Sequence, residues 1–326
     1  IGTIIQQVGT LIGGTVGSTL FLLGKIAAAM TGAGIGVGVA YKFKESPLVV
    51  VSAATAGMVG AFAGNIAKGT VFVDGVIHFA GPGEPLGAFI AAYVGIELGH
   101  LISGKTSVDI LLTPFVSIVG GSAVGLFAGP PISAFMTWLG SLINWGTEQR
   151  PFLMGIIVSV LMGIILTLPI SSAALGIVLN LSGIAAGAAT VGCCANMIGF
   201  AVASYRENKV GGLLAQGLGT SMLQIPNIMR KPIIWLPAIA ASAVLGPVST
   251  VVLGMTSNAT GSGMGTAGLV GPIMTYQTMT ASLSPAVVLL EMAVMYFILP
   301  GIIALGVSEW MRKKGWIKAG DLKLEL

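Results

Sequence analysis

Charge is what this chain has least of. Asp, Glu, Lys and Arg make up 8% of its 326 residues, against about 25% in soluble domains, which argues strongly against a soluble fold. Aromatic residues are also sparse at 7%, so packing must rely on small side chains. Two histidines give little material for hydrolysis, and no Ser–His–Asp or Cys–His arrangement is apparent. The only cysteines, Cys193 and Cys194, are adjacent and lie within an apolar run. Neighbours make a poor structural bridge, so both read as small buried thiols. The net charge of +4 makes no case for nucleic acid. Basic residues in the short loops of a membrane protein mostly report orientation.

Glycine and apolar runs are abundant. The chain holds 49 glycines and is 55% hydrophobic, a composition that lets helix backbones approach closely in a bilayer. Runs near the length of a span, about 20 residues, or somewhat shorter, cover residues 4–23, 26–40, 47–67, 85–102, 110–128, 151–168, 183–204, 210–223, 233–253 and 285–305. Residues 132–145 carry Trp138 and Trp145, which suits the membrane interface. The expectation is an all-α polytopic membrane protein of about ten segments, some of them re-entrant. The chain starts at Ile1 without Met and close to an apolar run, which reads as a missing beginning rather than a signal peptide.

One stretch breaks the apolar pattern from inside. Residues 256–268 are rich in Gly, Ser, Thr and Asn, yet apolar runs flank them on both sides. In hydrocarbon, non-helical backbone survives only where protein or a water-filled cavity satisfies its polar groups. The stretch is therefore expected to line a polar site, with Asn258, Thr260, Ser262 and Thr266 as hydrogen-bonding side chains. Its closely spaced glycines could also expose N–H groups able to hold an anion. Residues 219–227, with Gln224 and Asn227, mix amides and hydroxyls in the same way. Neutral groups of this kind suit a sugar, and they equally suit hydrogen bonds between helices.

Ionisable residues within spans are functional candidates by default. Glu97 and His100 are spaced i, i+3 and could share a proton or a cation; a metal site lacks further ligands. Glu291 is a second candidate. Glu84 precedes Pro85 at an expected helix start. Residues 99–106 match the letters of a phosphate-binding loop, but they end an apolar helical run instead of following a strand. Lys105 and Asp109, four apart, are placed to pair. The polar segment 68–84 contains Asp74 and His78. No cofactor is indicated.

A weak internal repeat runs through the chain. Residues 26–32 resemble 184–190, and 125–130 resemble 268–272. Two related halves are common in transporters whose substrate sites lie between the repeats. The expected division is 1–150, 151–308 and a basic cytoplasmic tail at 309–326.

Residues 219–230 (Gly-Thr-Ser-Met-Leu-Gln-Ile-Pro-Asn-Ile-Met-Arg) are followed by 258–276 (Asn-Ala-Thr-Gly-Ser-Gly-Met-Gly-Thr-Ala-Gly-Leu-Val-Gly-Pro-Ile-Met-Thr-Tyr). Together with 83–88 and 103–110 they resemble the IIC-like membrane family of the phosphoenolpyruvate-dependent sugar phosphotransferase system, including perfringolysin-regulator-like proteins. The resemblance covers almost the whole chain. It implies a multi-pass component of the bacterial cytoplasmic membrane, embedded in lipid and dimeric. Such a component moves a sugar or related small polar solute by alternating access while a cytoplasmic IIB partner phosphorylates it. The Gly-Ile-Thr-Glu motif of glucose-type relatives is absent, as is a fused IIA or IIB domain, so no site residue carries over by position. Local chemistry nominates Glu97, Asp109, Gln224, Asn227, Asn258, Thr260 and Ser262 as the substrate contacts. An ion-coupled transporter using Glu97 or Glu291, and a membrane sensor acting through a cytoplasmic partner, are the other readings.

Overall fold

The computed structural model describes residues 2–324 except Asp74, Ala80 and Pro82, so the expectation placed on Asp74 lies outside the described residues. Two compact units divide the chain, Ile1–Trp138 and Leu139–Leu326.

In the first unit, α1 (Gly2–Ile12) and α2 (Gly14–Ala29) form a hairpin, followed by α3 (Thr31–Lys42), α4 (Pro47–Ala61) and the short α5 (Ala63–Ala67). Ser46 caps α4, its hydroxyl accepting from the Val49 N–H at 3.5 Å. A two-residue antiparallel pair, β1 (Phe72–Val73) with β2 (Val76–Ile77), occupies the polar segment before α6 (Pro85–Ile102). Proline at the first turn of α6 fits the N–H groups that have no partner there. Helices α3, α4 and α6 pack on one another through small residues. A Cβ added at Gly60 would lie 2.3 Å from the Gly87 carbonyl oxygen, so these backbones touch.

Helix α7 (Asp109–Thr147) carries the chain from the first unit into the second. It runs through Pro114, Pro130 and Pro131 without the break expected between 128 and 132. Proline removes one backbone donor and crowds the preceding turn, but a helix in hydrocarbon has no water to turn its freed carbonyls toward and tends to continue.

The second unit contains α8 (Pro151–Thr167), α9 (Ser172–Val178), α10 (Gly183–Ala203), α11 (Tyr205–Leu214), α12 (Ile225–Arg230), α13 (Leu236–Pro247), α14 (Ala259–Ser262), α15 (Val270–Met279), α16 (Pro285–Met292) and α17 (Leu299–Lys313). Helix α10 is its axis, with 89% of its apolar window buried, against 50% for Pro232–Leu253 and 33% for Pro285–Lys313. Its Gly-Ala-rich first half presents little bulk on any side, so α8, α13 and α17 all pack against it. A Cβ at Gly192 would meet the Ser159 carbonyl oxygen at 1.9 Å, and one at Gly246 would meet that of Gly155 at 2.0 Å. Such contacts are possible only for glycine.

Among the described residues, five helical segments are long and apolar enough to cross a membrane: Pro85–Ile102, Asp109–Thr147, Gly183–Ala203, Pro232–Leu253 and Pro285–Lys313. A sixth is reached if the bent pair Gly14–Ala29 and Thr31–Lys42, 51° apart, counts as one span. That is fewer than the ten expected. Helices α4 and α8 are apolar but run only 15 and 17 residues, and the 210–223 run divides among α11, a π turn at Ala215–Gly219 and a 3-10 turn from Ser221.

Candidate functional site

The polar stretch folds against α10. Its backbone leaves the π turn Val248–Leu253 through Gly254, whose φ of 58° is left-handed. The Ser257 N–H then donates to the Gly183 carbonyl at 3.2 Å, an isolated bridge to the start of α10. Asn258 caps the one-turn helix α14, its Oδ1 accepting from the Gly261 N–H at 2.9 Å. Ser262 is buried and donates to the Ala259 carbonyl at 2.8 Å. Two contacts pin the turn that follows: the Ser172 hydroxyl donates to the Gly263 carbonyl at 2.6 Å, and Thr266 donates to that of Gly217, also at 2.6 Å. The Cys193 thiol lies 3.5 Å from the carbonyl oxygens of Met162 and Ser262. The stretch closes with Gly268 and Leu269, both left-handed at φ 53° and 60°. For leucine that conformation is strained.

These bonds decide what the stretch has left to offer. The N–H groups of Ser257, Gly261, Ser262, Met264, Ala267 and Leu269 are all engaged within the protein. The Thr256 and Thr260 hydroxyls are different. Both residues are half-buried, and neither hydroxyl has a hydrogen-bond partner among the described residues. Asn258 is also half-buried, with its amide nitrogen 3.3 Å from the Met274 sulfur, a weak acceptor.

Two buried polar chains lie behind the stretch. Thr275 donates to the Ser257 hydroxyl at 3.2 Å and lies 2.7 Å from the Tyr296 hydroxyl. Farther along α10, Asn196 donates to Ser242 Oγ at 3.0 Å and accepts from the Trp235 indole at 2.8 Å. Each group there is satisfied, which makes these chains rigid supports.

Gln224 and Asn227 stand elsewhere in the unit, clasping the C-terminal tail. The buried Gln224 amide donates to Gln216 Oε1 at 2.9 Å and to the Leu322 carbonyl at 3.0 Å. Asn227 donates to Gln224 Oε1 at 2.8 Å and to the Lys323 carbonyl at 2.9 Å. Asn208 holds the same segment, donating to the Leu322 carbonyl and accepting from the Leu324 N–H, both at 2.8 Å. Lys231 completes the clasp, donating to Asp321 at 2.6 Å. Burial alone would raise the Asp321 carboxyl, but the bonds from Lys231 and the Lys318 N–H, with both lysine charges, hold it below the usual value. The sequence does not mark how Asn208, Gln224 and Asn227 enter this clasp, since the tail groups they donate to are the main-chain carbonyls of Leu322 and Lys323.

The acidic candidates belong to other surroundings. Glu97 is exposed on α6, where its carboxylate interacts with the Tyr93 side chain one turn away. His100 does not share a group with Glu97; its Nδ1 lies 3.0 Å from the Glu45 carboxylate. The i, i+3 spacing makes neighbours of Glu97 and His100, but other partners claim each side chain. Asp109 accepts from Thr113 at 2.5 Å one helical turn on, and no ion pair joins it to Lys105 among the described residues. Glu291 has one carboxylate oxygen, Oε2, buried with no partner. Among the described residues no three His, Cys, Asp or Glu side chains cluster as a metal site. Two open hollows lie in the first unit, about 250 Å³ beside Gly9, Gly13 and Phe21 and about 380 Å³ beside Tyr41, Lys44 and Glu45. Neither is lined by the expected substrate contacts.

A family model described as Phosphotransferase system, EIIC matches residues 1–324. None of the curated proteins compared with the chain matches it. The chain thus belongs to the EIIC family of the phosphotransferase system, whose members are in general sugar-specific membrane permease components. Family and apolar helices together make it a multi-pass membrane protein.

Proposed function

We infer that this EIIC-family protein carries a sugar past residues 256–268 by alternating access between related halves, and that a separate cytoplasmic IIB protein phosphorylates the sugar. The observation that carries this reading is the pair of half-buried, unpartnered hydroxyls, Thr256 and Thr260, on a non-helical element between apolar segments. A sugar needs many neutral donors and acceptors in a dry setting and no fixed charge. Thr256, Asn258 and Thr260 offer those groups, and Ser262 lies one turn deeper. Gln224 and Asn227 enter the pathway only if the tail releases them.

The test is uptake of radiolabelled sugars into membrane vesicles supplied with phosphoenolpyruvate and the soluble phosphotransferase proteins. Accumulation as sugar phosphate that stops when the IIB protein is left out supports the reading. A second reading, coupling to a proton gradient, draws on the buried, partnerless Oε2 of Glu291. Uptake that continues without phosphoenolpyruvate and collapses with an uncoupler would favour it.

A further inference from the structure

The charge that most of this chain lacks is concentrated where its last apolar segment ends. Residues 309–324 contain Arg312, Lys313, Lys314, Lys318 and Lys323, against only Glu309 and Asp321. The acids there are consumed inside the protein. Arg206 donates to Glu309 at 2.8 Å, and Lys231 holds Asp321 at 2.6 Å. Arg312 is likewise taken, by Glu207 at 2.9 Å. Lys313 and Lys314 are exposed and have no counter-ion among the described residues.

Trp310 precedes these lysines by three and four positions, so the three side chains share one side of the helix end. The Trp310 indole packs edge-on against Trp316, with ring centroids 5.2 Å apart, and both indoles are exposed. Trp316 is held there by the tail clasp. Ile317 and Leu322 beside it are buried, while Asp321 and the Leu322 carbonyl are tied to Lys231 and Gln224.

Segment Pro285–Lys313 has 29 residues. At about 1.5 Å per residue a helix of this length exceeds the hydrocarbon thickness of ~30 Å, so one end must stand among headgroups. Indoles favour that level. Lysines next to a span attract anionic headgroups.

We propose that Trp310, Trp316, Lys313 and Lys314 form a docking surface for the headgroups of anionic phospholipid. The cations meet the phosphate charge while the indoles rest at the boundary between headgroup and hydrocarbon. An acidic soluble protein would also meet the lysines, but the paired exposed indoles at the end of a span favour lipid. The surface is separate from residues 256–268 and does not depend on sugar passing there.

The full-length protein, purified into mixed phosphatidylcholine and phosphatidylglycerol and then delipidated in steps, gives the test by native mass spectrometry. The wild type should retain phosphatidylglycerol in preference, and Lys313→Gln with Lys314→Gln should weaken that retention roughly ten- to thirtyfold. Phosphatidylcholine retention should stay the same, and raised salt should mimic the double substitution. Both lysines are exposed, so the variant should fold; Trp310→Leu with Trp316→Leu gives an independent arm, with weakened retention of both lipids. Equal phosphatidylglycerol retention by wild type and lysine variant would overturn the proposal. So would protection of the two lysines from acetylation by a IIB protein but never by phosphatidylglycerol.

Discussion

The Thr266 hydroxyl donates to the Gly217 carbonyl at 2.6 Å, joining points 49 residues apart in the chain. Gly217 lies in the π turn just before residues 219–230, and Thr266 lies in the polar stretch. The two polar segments that carry the family resemblance are thus tied to each other through one buried bond. Thr266→Val keeps the shape and leaves the Gly217 carbonyl without its donor, which should destabilise the protein by about 1–3 kcal/mol. Thermal unfolding in detergent measures the loss, and Thr266→Ser should recover most of it.

Asn196 is the hub of the polar chain on α10, bonded to Ser242, Gly192 and Trp235. Asn196→Leu strands the Trp235 N–H, leaves the Ser242 hydroxyl only its main-chain acceptors at Ala238 and Gly192, and adds bulk beside Gly163, where a Cβ would already sit 2.1 Å from the Asn196 amide. The expected loss is about 2–4 kcal/mol. An unchanged midpoint of unfolding would mean that the chain contributes nothing to stability.

Glycine contacts make a paired prediction. Gly192→Ala would drive its methyl into the Ser159 backbone, whereas Gly34 has nothing within 4 Å of an added Cβ. Gly192→Ala should destabilise by roughly 1–3 kcal/mol, while Gly34→Ala should be neutral or slightly stabilising in its helix. Comparing the two melting curves separates close helix packing from a general intolerance of alanine.

The tail clasp should respond to acid. The Asp321 carboxyl sits below its ordinary value of 3.8 in the folded protein, mainly because bonds and charges from Lys231 and Lys318 outweigh its burial. A depressed folded value means the contact contributes fully above the unfolded value and is lost as pH falls through the folded one. Hydrogen exchange at residues 316–324 should therefore stay slow from neutral pH down to about 5, then quicken below about 4. Asp321→Asn should loosen the tail at neutral pH by about 1 kcal/mol and remove that acid dependence.

Much of this protein is legible in its sequence because hydrocarbon sets blunt rules. The scarcity of charge, the runs such as 85–102 and 183–204, and the misfit of residues 256–268 all follow from the cost of exposing polar groups to lipid. Partner choice is less legible. Spacing put His100 beside Glu97, but Glu45 reaches it from the loop before α4. Gln224 and Asn227 read as sugar contacts or as bonds between helices, whereas main-chain carbonyls of Leu322 and Lys323 occupy them; every residue has such a carbonyl, so composition carries no sign of it. The runs 110–128 and 132–145 read as separate, whereas helix α7 joins them through Pro130 and Pro131.

The central claim is that residues 256–268 line the sugar pathway, and accessibility at Thr260 tests it most directly. Thr260→Cys would be built with both native, buried cysteines exchanged for Ala and labelled in vesicles with a membrane-impermeant maleimide. The thiol should react, and a transported sugar should slow the reaction while a non-transported isomer leaves it unchanged. A thiol in actively transporting vesicles that never labels, or that labels at one rate with and without the transported sugar, would contradict the account.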